Sequence, residues 1–226
     1  MEPASKALIV VDVQKDFCPG GALAVTDGDK VIPVINAIKP LFDVVLFTAD
    51  WHPADHCSFT KNGGPWPAHC VQNTEGAELH PDLDITVASD DVLVVIHKGQ
   101  KVDVDSYSGF SDNEQRFQTA LAQELRCEGV GEVYICGLAM DYCIKATALD
   151  AVAEGFKTFV VFDACRAVNV EDGAVLQTVT ELFLAGVTLM ESYELMALSG
   201  PSSEEHERKN KTRKGNRSQR HKNEQR

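Results

Sequence analysis

Short apolar runs rich in β-branched residues alternate with longer amphipathic stretches along most of this chain. The runs predict strands at residues 7–13, 44–48, 92–97, 133–136, 158–162 and 187–190. The stretches between them predict helices at residues 30–41, 113–127, 142–154 and 172–185. In the third of these helices, Ile144, Ala148 and Ala151 recur at helical spacing and form an apolar stripe suited to packing on a sheet.

The predicted strands are apolar at nearly every position rather than at every second one. Such strands are typical of sheets that are covered on both faces, and those sheets are mainly parallel. The pattern therefore predicts a doubly wound α/β fold, with three layers in the order α/β/α around a mainly parallel sheet.

Three segments interrupt the alternation. Residues 51–83 form a long loop rich in proline, glycine and histidine, and residues 99–112 form a shorter irregular stretch. A loop as long as the first is usually functional in a compact domain. Residues 201–226 contain almost no large apolar side chains. We therefore expect one folded domain over residues 1–200 and a basic, disordered tail over 201–226 that catalysis does not need.

Charge is distributed unevenly between these two parts. Residues 1–200 carry 12 basic and 30 acidic side chains, a formal charge of −18, whereas residues 201–226 carry nine basic and four acidic ones, a formal charge of +5. A body this acidic repels nucleic acid and favours a small neutral or cationic substrate. The tail leaves open a role in nuclear localisation or RNA contact, although such charge runs are more often solvated tails.

Cysteine usage and the apolar runs indicate the compartment. No run approaches the roughly 20 residues of a membrane span, and no basic-then-apolar secretory signal opens the chain. The seven cysteines are an odd number, so we expect free thiols in the reducing cytoplasm and no membrane partner. Three of them, Cys127, Cys136 and Cys165, are expected to be small buried apolar residues. The sequence leaves the oligomeric state open, a homo-oligomer included.

Four ionisable side chains fall at the carboxyl ends of four predicted strands. Asp12, Asp50 and Lys98 end the first three strands, and Cys143 follows the fourth at the start of a helix. Ligands of open α/β sheets bind at this edge. Any one of these residues is readily explained as a turn former or helix cap, but the four together have complementary chemistry.

These residues suit a cysteine hydrolase. Orphan N–H groups at a helix start stabilise a thiolate at Cys143. Asp12 is placed to act as general base, and Lys98 offsets the negative charges of both groups. The amides of Ala139 and Cys143, in the tight turn after the fourth strand, are candidates for binding an oxyanion.

Metal-ligand chemistry is concentrated in the long loop and the strand end before it. Asp50 and His52 project to the same side of an extended chain, and His69 adds a third donor, with His56 as a further candidate. Three protein donors with open positions are typical of a catalytic site for zinc, iron or manganese. Spacing alone leaves coincidental surface histidines about equally plausible.

Aromatic residues lie in the loops that converge on the same rim, namely Phe17, Trp66 and Tyr107. Ordinary core packing would explain them. They also suit an aromatic slot for a flat heterocycle.

Six short motifs occur in a fixed order between residues 4 and 198. They are Asp12-Val-Gln-Lys-Asp-Phe17, Thr48-Ala-Asp-Trp-His-Pro53, Trp66-Pro-Ala-His69, His97-Lys-Gly99, Tyr107-Ser-Gly-Phe110 and Gly137-Leu-Ala-Met-Asp-Tyr-Cys143. Each motif is weak alone. The ordered set resembles the nicotinamidase/pyrazinamidase branch of the isochorismatase-like cysteine hydrolases over nearly the whole body of the chain.

The resemblance implies a six-stranded sheet in the order 3-2-1-4-5-6 and a catalytic triad of Asp12, Lys98 and Cys143. It also implies a cis peptide bond between Leu138 and Ala139. The implied reaction is hydrolysis of nicotinamide, and of pyrazinamide, to the acid and ammonia through a cysteine thioester, a step of NAD salvage.

A metal site follows from the same resemblance. In such enzymes the residues matching Asp50, His52 and His69 bind one divalent metal ion, zinc or iron with manganese as an alternative. The residue matching His56 is a further ligand in some members only. The pyridine nitrogen of the substrate docks on the metal.

Other interpretations of the sequence are weaker. The nearest alternative is another amidohydrolase, or an ether hydrolase of the isochorismatase type, from the same superfamily. The metal loop of Asp50, His52 and His69 argues against it, since the isochorismatase branch does without that site. A ligand-binding protein that had lost catalysis would not need the trio of Asp12, Lys98 and Cys143. An RNA-associated factor is opposed by the acidic body.

Overall fold

The computed structural model describes residues 5–86, 93–170 and 172–199. In these residues the strands are β1 Ser5–Val11, β2 Val44–Asp50, β3 Val95–Lys98, β4 Val130–Leu138, β5 Lys157–Arg166 and β6 Thr188–Met190. The helices are α1 Val31–Ile38, α2 Leu121–Cys127, α3 Lys145–Ala153, α4 Ala174–Leu184 and α5 Ser192–Ser199. Both the existence and the order of the predicted strands are confirmed.

The six strands form one sheet in the order β3-β2-β1-β4-β5-β6, and each pairing is parallel. Both the predicted strand order and the parallel sheet are therefore confirmed. Strand β1 lies inside the sheet, and the five residues from Ala7 to Val11 are fully buried, which explains why it has no polar face. The strand order turns back at β1. Because connections between parallel strands are almost always right-handed, α1 and α3 belong on opposite faces of the sheet, in agreement with the three predicted layers.

Strand register brings the reactive residues to one edge of the sheet. Asp50 and Lys98 are paired neighbours in β2 and β3. Val11 pairs with Thr48 on one side and with Gly137 on the other. Gly137 has φ 115°, and a Cβ there would lie 2.1 Å from the Val11 carbonyl oxygen. Only glycine allows β4 to approach β1 this closely just before the cysteine turn.

Several element ends differ from the predictions for local reasons. Strand β1 ends at Val11 and not at residue 13, because Asp12 takes a left-handed conformation with φ 50°. Helix α2 begins at Leu121 and not at residue 113, because the Asp112 carboxylate accepts backbone N–H groups within residues 114–117 and holds them in a loop. Helix α3 follows a π-helical turn over Met140–Ile144. Residue 92 of the predicted third strand lies outside the described residues.

The chain divides into two compact units, residues 1–192 and 193–226. Helix α5, which the hydrophobic pattern did not predict, supplies the described part of the second unit. The predicted tail over 201–226 lies outside the described residues, and the proposed boundary at residue 200 stays a prediction. Among the described helices, none is long and apolar enough to cross a bilayer.

Candidate active site

The Lys98 ammonium lies at the centre of the reactive residues. Its side chain is fully buried, and Nζ lies 2.9 Å from Asp12 Oδ2. Nζ also donates to the Ser106 carbonyl at 2.9 Å and to the Cys143 sulfur at 3.4 Å. A further hydrogen bond runs from Nζ to Asp50 Oδ1. The structure therefore brings together the four residues that the strand ends predicted.

The Asp12 carboxylate is placed to receive a proton. Thr48 Oγ1 donates to Asp12 Oδ1 at 2.7 Å. Oδ2 is at ion-pair distance from Lys98, but the approach lies outside hydrogen-bond geometry, so Oδ2 has no hydrogen-bond donor among the described residues. A carboxylate oxygen of Asp12 and the Cys143 sulfur lie within 4.8 Å of each other. Asp12 is thus a carboxylate within reach of the thiol, and its role as general base stays a prediction.

Burial shifts the pKa of each member of this trio, and the charges of neighbouring groups oppose that shift. It raises the pKa of Asp12 above its ordinary value, and Lys98 offsets only part of that shift. It raises the pKa of Cys143 well above the ordinary thiol value, with Lys98 opposing. Burial would lower the pKa of Lys98, but Asp12 and Asp50 raise it well above its usual range.

The pull of Lys98 toward a thiolate is therefore outweighed at Cys143 by burial and by the nearby carboxylates Asp12 and Asp50. A protonated Cys143 thiol would need a nearby base before its sulfur could act as a nucleophile.

Three predicted metal ligands converge beside the trio. Asp50 Oδ2 lies 3.5 Å from His52 Nε2 and 3.9 Å from His69 Nε2, and one donor atom from each residue lies within 4.8 Å of the others. All three side chains are buried. Two imidazole nitrogens and a carboxylate oxygen at these separations suit a divalent transition metal.

The orientation of each donor is set by a second contact. His52 Nδ1 donates to the Gly99 carbonyl and His69 Nδ1 to the Pro67 carbonyl, both at 2.8 Å. Because carbonyl oxygens only accept, each Nδ1 carries the hydrogen and each Nε2 keeps its lone pair. Both tautomers are therefore the ones that a metal requires.

Gln14 holds Asp50, the carboxylate donor of this set. The sequence pattern did not single out Gln14. Its side-chain amide donates to the Asp50 carbonyl and accepts the Asp50 N–H, both at 2.8 Å. Gln14 lies within the first of the six motifs, where its fixed place after Asp12 was the available signal.

His56 lies beside this set of donors. Its Nδ1 lies 2.7 Å from Ser58 Oγ and its Nε2 lies 3.2 Å from the Val104 carbonyl oxygen. Its ring stacks on His52 with centroids 4.1 Å apart. The described contacts therefore make His56 a support for His52, and its role as a ligand stays a prediction.

A cleft opens over Cys143 and over the Asp50 and His69 donors. Its walls include the three predicted aromatic residues together with the reactive ones: Phe17, Trp66, Tyr107, Ala139, Cys143, Asp50 and His69. They also include residues that the sequence pattern did not indicate: Leu23, Val25, Asp105, Tyr142 and Val168. The largely apolar and aromatic wall suits a small planar ring.

Aromatic edges shape this wall. Trp66 Nε1 donates to the Tyr107 hydroxyl at 3.2 Å. The Tyr142 ring meets both at an angle, with centroids 5.1 Å from Trp66 and 5.5 Å from Tyr107. Tyr142 was detectable because it precedes Cys143 in the last motif. Val168 could not be found in this way. It reaches the cleft because its N–H donates to the Asp141 carboxylate at 2.9 Å, a contact between residues 27 positions apart in the sequence.

The cysteine turn has the predicted backbone. The peptide bond between Leu138 and Ala139 is cis. The Ala139 carbonyl accepts the N–H groups of Tyr142 and Ile144 at 3.1 Å, which closes the turn. Ala139 and Cys143 both line the cleft. Binding of an oxyanion by their amides stays a prediction.

The remaining cysteines follow the expectation with one exception. All seven are free. Cys136 and Cys165 are buried as predicted, but Cys127 is exposed at the end of α2. The prediction of burial for Cys127 was wrong because the last residue of a short helix need not face the sheet.

Comparisons with known proteins agree with this geometry. The family model of the isochorismatase domain matches residues 6–192. A nicotinamidase of Acinetobacter baylyi is 40% identical over 206 residues, 84% of this chain and 94% of that protein. A nicotinamidase of Escherichia coli is 41% identical over 203 residues, 81% of this chain and 93% of that protein.

Two solved structures also match this chain over more than four fifths of its length. The pyrazinamidase of Pyrococcus horikoshii in complex with zinc has a TM-score of 0.72 and 43% identity, covering 83% of this chain and 99% of that one. The PnC1 protein of L. infantum in complex with nicotinate has a TM-score of 0.77 and 40% identity, covering 84% of this chain and 94% of that one.

Proposed function

The chain belongs to the isochorismatase family, and we propose that it acts in that family as a metal-dependent nicotinamidase with Cys143 as its nucleophile. The observation that carries the proposal is the buried Lys98 ammonium, which contacts Asp12, Asp50 and the Cys143 sulfur at the floor of the cleft. Lys98 thereby links the proposed base Asp12 and the proposed nucleophile Cys143 to Asp50, one of the candidate metal ligands. The nicotinamidase relatives, each matched over more than nine tenths of its length, support the choice of substrate.

The metal site belongs to this proposal. Asp50, His52 and His69 would hold one divalent ion, and zinc or iron suits two imidazole nitrogens and one carboxylate. When bound, such an ion supplies a Lewis-acid position that orients a ring nitrogen. The zinc complex of the Pyrococcus relative supports this assignment.

The first half-reaction follows from the positions of Asp12 and Cys143. Asp12 takes the thiol proton, and the Cys143 sulfur attacks the carboxamide carbon. The amides of Ala139 and Cys143 stabilise the oxyanion. The C–N bond then breaks, and ammonia leaves with the proton from Asp12. A thioester remains on Cys143. Lys98 keeps its charge throughout and stabilises the thiolate as it forms.

The second half-reaction uses the same residues in reverse. Asp12 takes a proton from a water molecule that attacks the thioester carbon. The C–S bond breaks, and the proton on Asp12 goes to the Cys143 sulfur. Nicotinic acid leaves the cleft and releases its remaining proton to solvent, where the ammonia takes it up, which gives nicotinate and ammonium. The aromatic wall of Phe17, Trp66 and Tyr107 holds the ring and excludes bulk water. Pyrazinamide has the same shape and fits the same steps. We place the reaction in NAD salvage in a reducing cytoplasmic compartment, where the seven free thiols persist.

Release of ammonia from a panel of small carboxamides tests the proposal. We expect turnover of nicotinamide and pyrazinamide by the purified metal-loaded protein, and little turnover of benzamide, which lacks the ring nitrogen. Cys143→Ala should lose all measurable activity. Cys136→Ala, which removes a buried thiol away from the cleft, is the matched control and should keep it. Absence of nicotinamide turnover by the wild-type protein would overturn the proposal.

A further inference from the structure

Asp105 is a carboxylate in the cleft that the proposed mechanism does not use. It lies in the loop after β3 and lines the same cavity as Asp50 and Cys143. Its side chain is only partly exposed. Asp50 and Asp105 are the two acidic residues that line this largely apolar cleft. A second carboxylate there needs a physical reason, because desolvating a carboxylate without a compensating charge is costly.

The Asp105 side chain is held in place by the segment that also holds the lysine. Asp105 Oδ1 accepts the Ser106 N–H at 2.8 Å. The Asp105 carbonyl accepts the Asn113 N–H at 2.8 Å. The Ser106 carbonyl in turn accepts a hydrogen bond from Lys98 Nζ. The same loop therefore positions both the Asp105 side chain and the Lys98 ammonium.

Asp105 also lies close to the histidines of the metal site. One donor atom each from His52, His56 and Asp105 lies within 4.8 Å of the other two. His52 belongs at the same time to the set formed with Asp50 and His69. Asp105 is therefore next to the candidate metal ligands, on the His52 and His56 side of the centre.

Charge balance explains why a carboxylate is useful there. Asp12 and Asp50 are negative, Lys98 is positive, and the Cys143 thiol is neutral, which leaves one net negative charge. A divalent cation turns this into one net positive charge. The Asp105 carboxylate brings the total to zero, and buried clusters are most stable when their charges are compensated.

We propose that Asp105 is the outer carboxylate of the divalent-cation centre, a positioning residue that balances the charge of the loaded site and raises its affinity for the cation. The inference rests on the metal site of the proposed function. It assigns Asp105 no part in making or breaking bonds. Asp50, His52 and His69 remain the direct ligands.

Affinity for zinc and manganese, measured by titration of the metal-free protein against a chelator, tests this role. Asp105→Asn keeps the shape and the acceptor for the Ser106 N–H but removes the charge. We expect its dissociation constant to rise about 10- to 100-fold, the range found for outer partners of metal ligands. Asp105→Glu should recover most of the affinity. Asp103→Asn is the matched control, because it removes an exposed charge two residues away that pairs with Arg116, and it should bind like the wild type.

The outcomes separate this inference from the proposed function. Equal melting temperatures of the metal-free proteins would show that Asp105→Asn is folded. A dissociation constant within twofold of the wild type would overturn the inference while leaving nicotinamide turnover untouched. A loss as complete as that of Asp50→Ala would also overturn it, because Asp105 would then be a direct ligand. A wild-type protein that turns over nicotinamide but binds no divalent cation would refute the metal site itself.

Discussion

The Gly99 carbonyl accepts the Nδ1 hydrogen of His52 at 2.8 Å, and a Cβ on Gly99 would lie 2.3 Å from the same imidazole ring. Gly99 also has φ 63°, a conformation that favours glycine. The close approach of backbone and ring orients the Nε2 of His52 toward Asp50. Gly99, the residue after the buried lysine, therefore belongs to the candidate metal site, although it has no side chain.

Gly99→Ala should displace the His52 ring and weaken metal binding at least tenfold. Gly63→Ala provides the control, because Gly63 has φ 90° but a Cβ there would meet nothing within 4 Å. Both variants should lose about 1 kcal/mol of stability from the left-handed backbone. Metal analysis after dialysis, together with thermal unfolding, checks this. Equal metal content in the two variants would contradict the role given to Gly99.

Thr48→Val tests whether Asp12 is the base. The Thr48 hydroxyl lowers the pKa of Asp12, whose net shift is upward because of burial. Removing the hydroxyl should raise that pKa further. With Asp12 as the base, activity requires the ionised carboxylate. We therefore expect activity above the Asp12 pKa and its loss as the pH falls through that pKa.

The acid limb of the kcat/KM profile should therefore move to higher pH in Thr48→Val. The control is Thr158→Val, since Thr158 is a buried threonine whose hydroxyl donates to the Phe156 carbonyl away from the cleft. An unmoved acid limb in Thr48→Val would exclude Asp12 as the group that titrates there.

Lys98→Met tests the control of the nucleophile. Burial raises the pKa of Cys143 and Lys98 opposes that shift, so its removal should raise the pKa further. Iodoacetamide reacts with the thiolate, and its rate at the Cys143 peptide should rise only at higher pH than in the wild type. The exposed Cys127 in the same sample is the internal control and should be unchanged.

The variant also leaves Asp12 and Asp50 buried without their cation, at a cost of about 3–5 kcal/mol. Alkylation should therefore be measured where circular dichroism shows a folded protein, and Lys98→Gln serves as a second variant. Identical Cys143 profiles in wild type and variants would show that Lys98 does not control the nucleophile.

Trp66→Phe tests the aromatic wall. It removes the hydrogen bond from Trp66 Nε1 to the Tyr107 hydroxyl and loosens the slot for the ring. We expect KM for nicotinamide to rise about two- to tenfold, in line with a lost hydrogen bond of roughly 0.5–1.5 kcal/mol, with kcat nearly unchanged. Trp51→Phe is the control, because Trp51 stacks on His97 and does not line the cleft. A fall in kcat with unchanged KM would assign Trp66 to the chemical step.

The sequence was most informative where one residue sits at a strand end. Asp12, Asp50 and Lys98 could be placed at one edge because parallel strands bring their carboxyl ends together, whatever the exact boundaries. The strand order and the cis peptide came from the family resemblance and are confirmed. The tail and the domain boundary at residue 200 stay predictions.

The pattern of apolar and polar residues does not predict contacts between segments that are distant in the sequence. Val168 enters the cleft through a hydrogen bond to Asp141, and Asp105 approaches His52 only after two loops fold together. The false helix start at residue 113 has a similar cause, because a side chain of Asp112 captures the backbone groups that a helix would need. The pKa of Cys143 is raised by burial of its side chain. The extent of that burial cannot be obtained from hydrophobic periodicity.

Rapid acid quench of the wild-type protein during turnover of nicotinamide, followed by mass spectrometry, tests the central claim most directly. We predict a nicotinoyl group on the peptide that contains Cys143, formed before steady state and absent from Cys143→Ala. Turnover of nicotinamide at an undiminished rate by Cys143→Ala, or a nicotinoyl group on another residue that forms and decays at the rate of turnover, would contradict it.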